Sequence, residues 1–182
     1  NTPGWLNKSI QTASLGYAIP GTVLGLGVLI VLSQFDNLSS QLLNISFLPI
    51  LSGSVFALIF AYSLRFLSIS FGTFEAELSR IPKTTDMAAS PLGARTLQLL
   101  KLIHLPMLRP ALITASVLVF VDTMEELPAT LILRPFNFET LATQVYNYAS
   151  VGQIEDAALP ALIIVGIGII PVFVASRKLH HL

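Results

Sequence analysis

Residues 157–176 read AALPALIIVGIGIIPVFVAS, twenty consecutive positions without a charge, closed by the basic pair Arg177 and Lys178. About 20 apolar residues are what an α-helix needs to cross some 30 Å of hydrocarbon. Pro171 within the run is acceptable in a bundle, where neighbouring helices satisfy the backbone groups it frees. Working outward from this stretch, three more qualify: 15–32, 47–66 and 105–124. The expected fold is all-α, a polytopic membrane bundle of four spans. A long polar loop over 68–104 joins the second and third spans, and a short outer-surface helix is expected within 135–150.

Composition agrees with this reading. The chain is 53% hydrophobic and only 11% charged, against roughly 25% charged residues in an ordinary soluble domain. Ten basic residues balance ten acidic ones, which argues against a nucleic-acid binder. Cysteine is absent, excluding disulfides, zinc–thiolate sites and cysteine nucleophiles. The first apolar run lacks a small-residue cleavage pattern and so does not read as a signal peptide. Asn1 in place of an initiator methionine reads as the start of an internal or C-terminal piece.

Basic residues set the orientation. Lys8, Arg65, Arg80, Lys83, Arg95, Lys101, Arg109, Arg177 and Lys178 fall on one side of the expected spans, and only Arg134 on the other. The positive-inside rule then places both ends of this chain and the 68–104 loop in the cytoplasm. Most carboxylates (Asp36, Asp122, Glu125, Glu126, Glu139, Glu155, Asp156) fall toward the outer face.

The 68–104 loop is too polar to span and too patterned to be a linker. Thr84 or Thr85 is placed to cap a short helix with Asp86 in its first turn, and Gly93 to end it. A second helix would follow, with Leu92, Thr96, Leu99 and Ile103 on one face. Such a hairpin either docks a soluble partner or merely closes the bundle.

Here the residues resemble a known family. Ala88-Ala89, three residues, Gly93, nine residues, Ile103, one residue, then Leu105-Pro106 matches the spacing of the EAA loop of binding-protein-dependent ABC importer permeases. Met87 stands where that loop has its glutamate, with Asp86 one residue earlier. Glu126-Leu127-Pro128-Ala129-Thr130, Leu133-Arg134-Pro135-Phe136-Asn137-Phe138 and Thr140-Leu141-Ala142 resemble the ferric-iron branch, in its C-terminal half. Glu125 occupies a position commonly lysine in that pattern. The resemblance implies a non-enzymatic permease of a bacterial inner membrane. Its partners would be an ABC ATPase dimer docked on the loop residues Asp86, Met87, Ala88, Ala89, Gly93, Ile103, Leu105 and Pro106, a periplasmic binding protein that brings ferric ion, and the other permease half. The chain carries no phosphate-cradling glycine motif, so ATP and Mg would belong to the ATPase.

The residues suggest further roles. Asp122 and Glu126 are four apart on a helix, with Glu125 beside them. Ionisable groups at membrane depth are functional candidates, and carboxylates suit a hard cation. They read either as an outer mouth for the cation or as solvent-facing and capping groups. Gly21 and Gly25 read as a close-packing pair or a flexible gate. Arg65 is expected to reach headgroups or loop carbonyls, and Tyr146 and Tyr148 to anchor at the interface. His104, His180 and His181 do not form a metal site. A proton-coupled carrier using Asp122 and Glu126 is the alternative from another class, and a permease of the same kind for thiamine, phosphonate or polyamine the alternative within it. An intramembrane hydrolase ranks last, because no nucleophile–base pair is present.

Overall fold

The computed structural model describes residues 17–43, 50–80, 101 and 104–179. Every regular element among them is a helix: α1 Gly21–Leu43, α2 Val55–Arg80, α3 Leu105–Met107, α4 Arg109–Glu125, α5 Pro128–Leu133, α6 Leu141–Ser150 and α7 Ile154–Leu179. Three helices, within Gly21–Leu43, Val55–Glu77 and Ile154–Phe173, are long and apolar enough to cross a membrane. The α7 window is only 11% buried, so almost all of its Leu, Ile, Val and Phe surface faces outward. In water such a surface would aggregate; against lipid it is matched.

The helix limits depart from the expected spans for identifiable reasons. The first helix continues past Leu32 to Leu43, through Ser33, Gln34, Asp36 and Asn37, because Asp36 is buried and fully partnered. The second begins at Val55, eight residues later than expected, and runs on to Arg80. The first part of the expected 68–104 loop is thus helix, carried beyond the apolar stretch with Glu75 exposed. The third expected span is α3 and α4 joined through a turn at Leu108. Pro110 has no N–H to bond back to Pro106, which breaks the ladder there.

Asp36 holds the α1–α2 hairpin. Its carboxylate accepts the Leu51 N–H at 3.0 Å, the Ser52 N–H at 2.8 Å and the Ser52 hydroxyl at 2.8 Å. At 2% exposure Asp36 is buried within the helix packing. Below it Val28, Leu32, Ala57, Leu58, Ala61 and Leu133 form the core, with Ile132 and Phe138 packed against it.

The chain after α4 was expected to be an outer segment with one short helix. It holds two. The first is α5, against α1 and α2; the second is α6, which pairs with α7. Thr140 caps α6: its hydroxyl accepts the Thr143 N–H at 3.2 Å, and Thr143 Oγ1 accepts the Thr140 N–H at 2.9 Å. Gly152 turns the chain into α7 with φ +80°, a left-handed value that costs glycine little.

Candidate buried ion pair at a helix break

Helix α4 stops at Glu125 because Glu126 turns the chain out with an extended backbone, φ −68° and ψ 106°, before Leu127 returns to helical geometry ahead of Pro128. Pro128 then opens α5 at a position where its missing N–H costs nothing.

The Glu126 side chain at this break is 5% exposed. Its Oε2 lies 2.9 Å from Arg65 Nε on α2, an ionic contact in which the Nε–H does not aim at the oxygen. Its Oε1 accepts the Ala129 N–H at 3.2 Å, so the carboxylate also sits on the positive end of α5. Arg65 Nη1 donates to the Ile19 carbonyl at 3.2 Å, just ahead of α1, and the guanidinium lies 5.8 Å from the Tyr17 ring centroid. Thr130, fully buried, donates to the Glu126 carbonyl and shares a short hydrogen bond with the Tyr62 hydroxyl. One polar network therefore ties α1, α2 and the α4–α5 junction.

The glycines explain how a charged pair fits there. A Cβ on Gly21 would stand 2.7 Å from Glu126 Oε1 and 3.1 Å from Arg65 Nη1. A Cβ on Gly25 would meet the Ala129 Cα at 3.3 Å. Both glycines lie where α5 approaches the α1 backbone, and no side chain larger than hydrogen enters without displacing it.

Arg65 stands ten residues past Val55 and fifteen before Arg80, midway along a helix roughly 39 Å long. The sequence places Arg65 at the end of a span and the carboxylates at an outer mouth. The structure pairs Glu126 with Arg65 level with the middle of α2, which runs 14 residues beyond Phe66. Glu125 is exposed beside a groove of about 410 Å³ with Ile164, Val165 and Gly168 of α7. That is again mid-helix. Asp122 is half-buried, and neither it nor Glu125 makes an ion pair or hydrogen bond among the described residues. The three neighbouring carboxylates thus occupy three environments, and no cluster of three metal-ligating side chains exists among the described residues.

Of the docking-loop residues, Asp86, Met87, Ala88, Ala89, Gly93 and Ile103 lie outside the described residues, as do His180 and His181. Leu105 and Pro106 form the first residues of α3, which the turn at Leu108 joins to α4, the helix that ends at Glu125. Tyr146 and Tyr148 are exposed on α6. Sequence reasoning missed the Arg65–Glu126 pair and α5. The available signal was Leu127-Pro128, a break six residues ahead of Arg134.

A second polar group lies between α5 and α6. Arg134 pairs with Glu139, which accepts from the Thr143 hydroxyl at 2.6 Å and from Asn147 at 3.3 Å. The Thr143 hydrogen bond, then Arg134 and Asn147, hold the Glu139 carboxyl below its ordinary 4.5 against the opposing effect of desolvation. Its stabilising contribution is therefore complete above that ordinary value and is lost as pH falls through the lowered one. We expect Glu139→Gln to lower the thermal midpoint of the detergent-solubilised protein at pH 7. The gap from wild type should narrow as pH falls below 4.5, the ordinary value; an equal gap at acidic pH and at pH 7 would refute this origin.

No protein-family model matches the sequence. The chain is 27% identical over 161 residues to the Fe(3+)-transport system permease protein FbpB 2 of Haemophilus influenzae, covering 88% of this chain and 29% of that protein. It is 28% identical over 167 residues to the putative 2-aminoethylphosphonate transport system permease protein PhnV of Salmonella typhimurium, covering 91% and 57%. A probable ABC transporter permease protein of Sinorhizobium fredii matches at 27% over 108 residues, 59% of this chain and 19% of that one. The chain therefore spans between a fifth and somewhat over half of the length of these relatives. By its apolar helices and by its relatives alike, it is a multi-pass membrane protein related to ABC-transporter permeases, the ferric-transport type among them.

Proposed function

We propose that this chain is part of the permease of an ATP-driven importer that carries ferric iron across a bacterial inner membrane by alternating access. The carrying observation is the discontinuous helix. α4 follows the expected docking loop and ends at Glu125, level with the middle of α2, with an ion pair on one side and, on the other, the carboxylates Asp122 and Glu125, unpaired among the described residues. Broken helices with ionisable groups at mid-membrane are how transporters build a path for polar cargo. In this reading an ATPase dimer holding ATP and Mg docks on the 68–104 loop, and its closure is passed up α4. A periplasmic binding protein loads ferric ion from outside, and another permease half completes the path. Both ends of this chain lie in the cytoplasm, and ATP hydrolysis belongs to the partner. Asp122 and Glu125, carrying no ion pair among the described residues, offer weak oxygen contacts that a conducting site can release.

A phosphonate cargo is the second reading, supported by the 28% identity to the Salmonella protein. Unpaired carboxylates oppose an anionic cargo and favour a cation. The test is uptake by the complete permease reconstituted in proteoliposomes with its ATPase and binding protein. Radioactive ferric iron should accumulate only with ATP and be indifferent to collapse of the proton gradient. Asp122→Asn with Glu125→Gln should slow it by about tenfold, equivalent to ~1.4 kcal/mol. Accumulation of 2-aminoethylphosphonate in place of iron would transfer the function to the second reading. Uptake driven by a proton gradient without ATP would overturn both.

A further inference from the structure

The loop between α5 and α6 holds one aromatic ring clear of the protein. Phe136 is 95% exposed, although the residues on either side of it are tied down. Arg134 pairs with Glu139 across the loop. The Arg134 N–H donates to the Thr130 carbonyl at 2.9 Å, and the Phe138 N–H to the Pro135 carbonyl at 3.1 Å. Phe138 packs against the core that includes Ala57, Leu58 and Ala61. Asn137 turns the chain with φ +60°, a left-handed value that asparagine adopts more readily than most residues. A ring carried on so closed a loop is held in place before anything meets it.

This loop does not stand beyond the ends of the spanning helices. α6 and α7 form an antiparallel hairpin through the turn at 151–153, where the Gly152 N–H donates to the Ala149 carbonyl at 3.1 Å and the Gln153 N–H to the Tyr148 carbonyl at 2.9 Å. α6 packs chiefly on α7, the helix whose Ile154–Phe173 stretch is able to cross a membrane. The ten residues of α6 cover about 15 Å, so the loop sits about that far along α7 from the turn, about half of a hydrocarbon core. The core residues of α2 under Phe138 agree, since they lie within the first two turns of that helix and not before it. Lipid cannot satisfy non-helical backbone or a partly exposed ion pair, so such a loop is tolerated there only inside protein or against water. The Arg134 and Glu139 side chains keep 25% and 37% exposure, and Asn137 is exposed. Covering them with protein would strip the pair of its remaining water at a desolvation cost, which an aqueous face avoids.

We propose that the 134–140 loop faces the water-filled cargo path and that the Phe136 ring is an apolar constriction in it. An apolar group in a narrow aqueous passage closes it by excluding water. The Arg134–Glu139 pair and the seated Phe138 fix where the ring stands, so the barrier is present without any ligand. The proposal rests on the transport reading for the cargo and for the use of ATP; the aqueous surroundings of the ring do not depend on it.

The chain contains no cysteine, so Phe136→Cys, or Leu162→Cys on the exposed face of α7, gives a single spin-label site. The measurement is made on the full-length permease assembled with its ATPase in proteoliposomes, with any cysteine outside this stretch replaced. Collision with a water-soluble nickel chelate, relative to collision with oxygen, should be at least threefold greater at position 136 than at position 162. An oxygen preference at position 136 equal to that at position 162 puts the ring in lipid, and shielding from both reagents puts it under another subunit; either overturns the proposal. Without labels, Phe136→Ala should raise the nucleotide-free leak of trapped potassium at least fivefold. Phe136→Leu, still bulky and apolar, should stay within twofold of the parent. Both variants should keep the parent melting temperature, because a ring this exposed adds little to packing, so the leak does not report unfolding. A parent-like leak in Phe136→Ala overturns the constriction. Iron uptake by the parent without ATP overturns the transport reading, while accessibility and leak still decide the role of the ring.

Discussion

Arg65→Ala is expected to destabilise the protein by about 3–5 kcal/mol, the cost of leaving a buried charge without its partner. The Glu126 side chain is 5% exposed, so water cannot take over from the guanidinium. The Ala129 N–H alone remains as a partner outside the carboxylate's own residue. Arg65→Lys should recover part of the loss. An ammonium reaches the carboxylate as a point charge, but it cannot spread over Glu126 and the Ile19 carbonyl together as the guanidinium does. Arg65→Met combined with Glu126→Leu should be markedly more stable than Arg65→Ala, since removing both charges also removes the desolvation cost. Chemical denaturation in detergent micelles, run as a double-mutant cycle, reads all of these. A loss under 1 kcal/mol for Arg65→Ala would mean that the pair is solvated in the folded protein.

Asp36→Ala is the second large effect, at about 3 kcal/mol. Alanine abandons the Leu51 N–H, the Ser52 N–H and the Ser52 hydroxyl, and a hydrogen bond to a charged group is worth roughly 1.5–3 kcal/mol with a further penalty for each buried donor left unmet. Ser52 is itself 7% exposed, so the abandoned donors do not simply find water. Asp36→Asn keeps the shape and an acceptor oxygen and should lose about half as much. Limited proteolysis gives a local readout alongside global stability, because the released turn before Val55 becomes cleavable in Asp36→Ala. Cleavage there at the wild-type rate, with unchanged stability, would refute the role of Asp36 as the hairpin clamp.

The parts of this molecule legible from sequence were those that depend on composition and local order. Twenty uncharged residues before Arg177 must be a helix in lipid, because no other backbone arrangement satisfies its own hydrogen bonds there. The resemblance to ABC importer permeases likewise agrees with the relatives the chain matches. Hydropathy fails where a polar residue is satisfied by something distant. Asp36 looks like a surface charge until the Leu51–Ser52 backbone is folded over it. Glu75 and Glu77 look like loop residues until α2 is seen to continue as one helix to Arg80. The α5 helix was hidden for a related reason. Six residues opened by a proline carry too little periodicity to mark a helix, and its near-total burial comes from α1 and α2.

Sequence by itself therefore determined the solvent, the helical class and the kinship of this chain, since these follow from summed hydropathy and from residue order along one strand of chain. Only the tertiary structure decided which charges meet. Arg65 and Glu126 are 61 residues apart, and their separation in space depends on where α4 breaks, how far α2 extends and whether Gly21 leaves room. A charge is read along the chain as a residue type. Its consequence depends on the dielectric around it and on the nearest opposite charge, and both are properties of the packed helices.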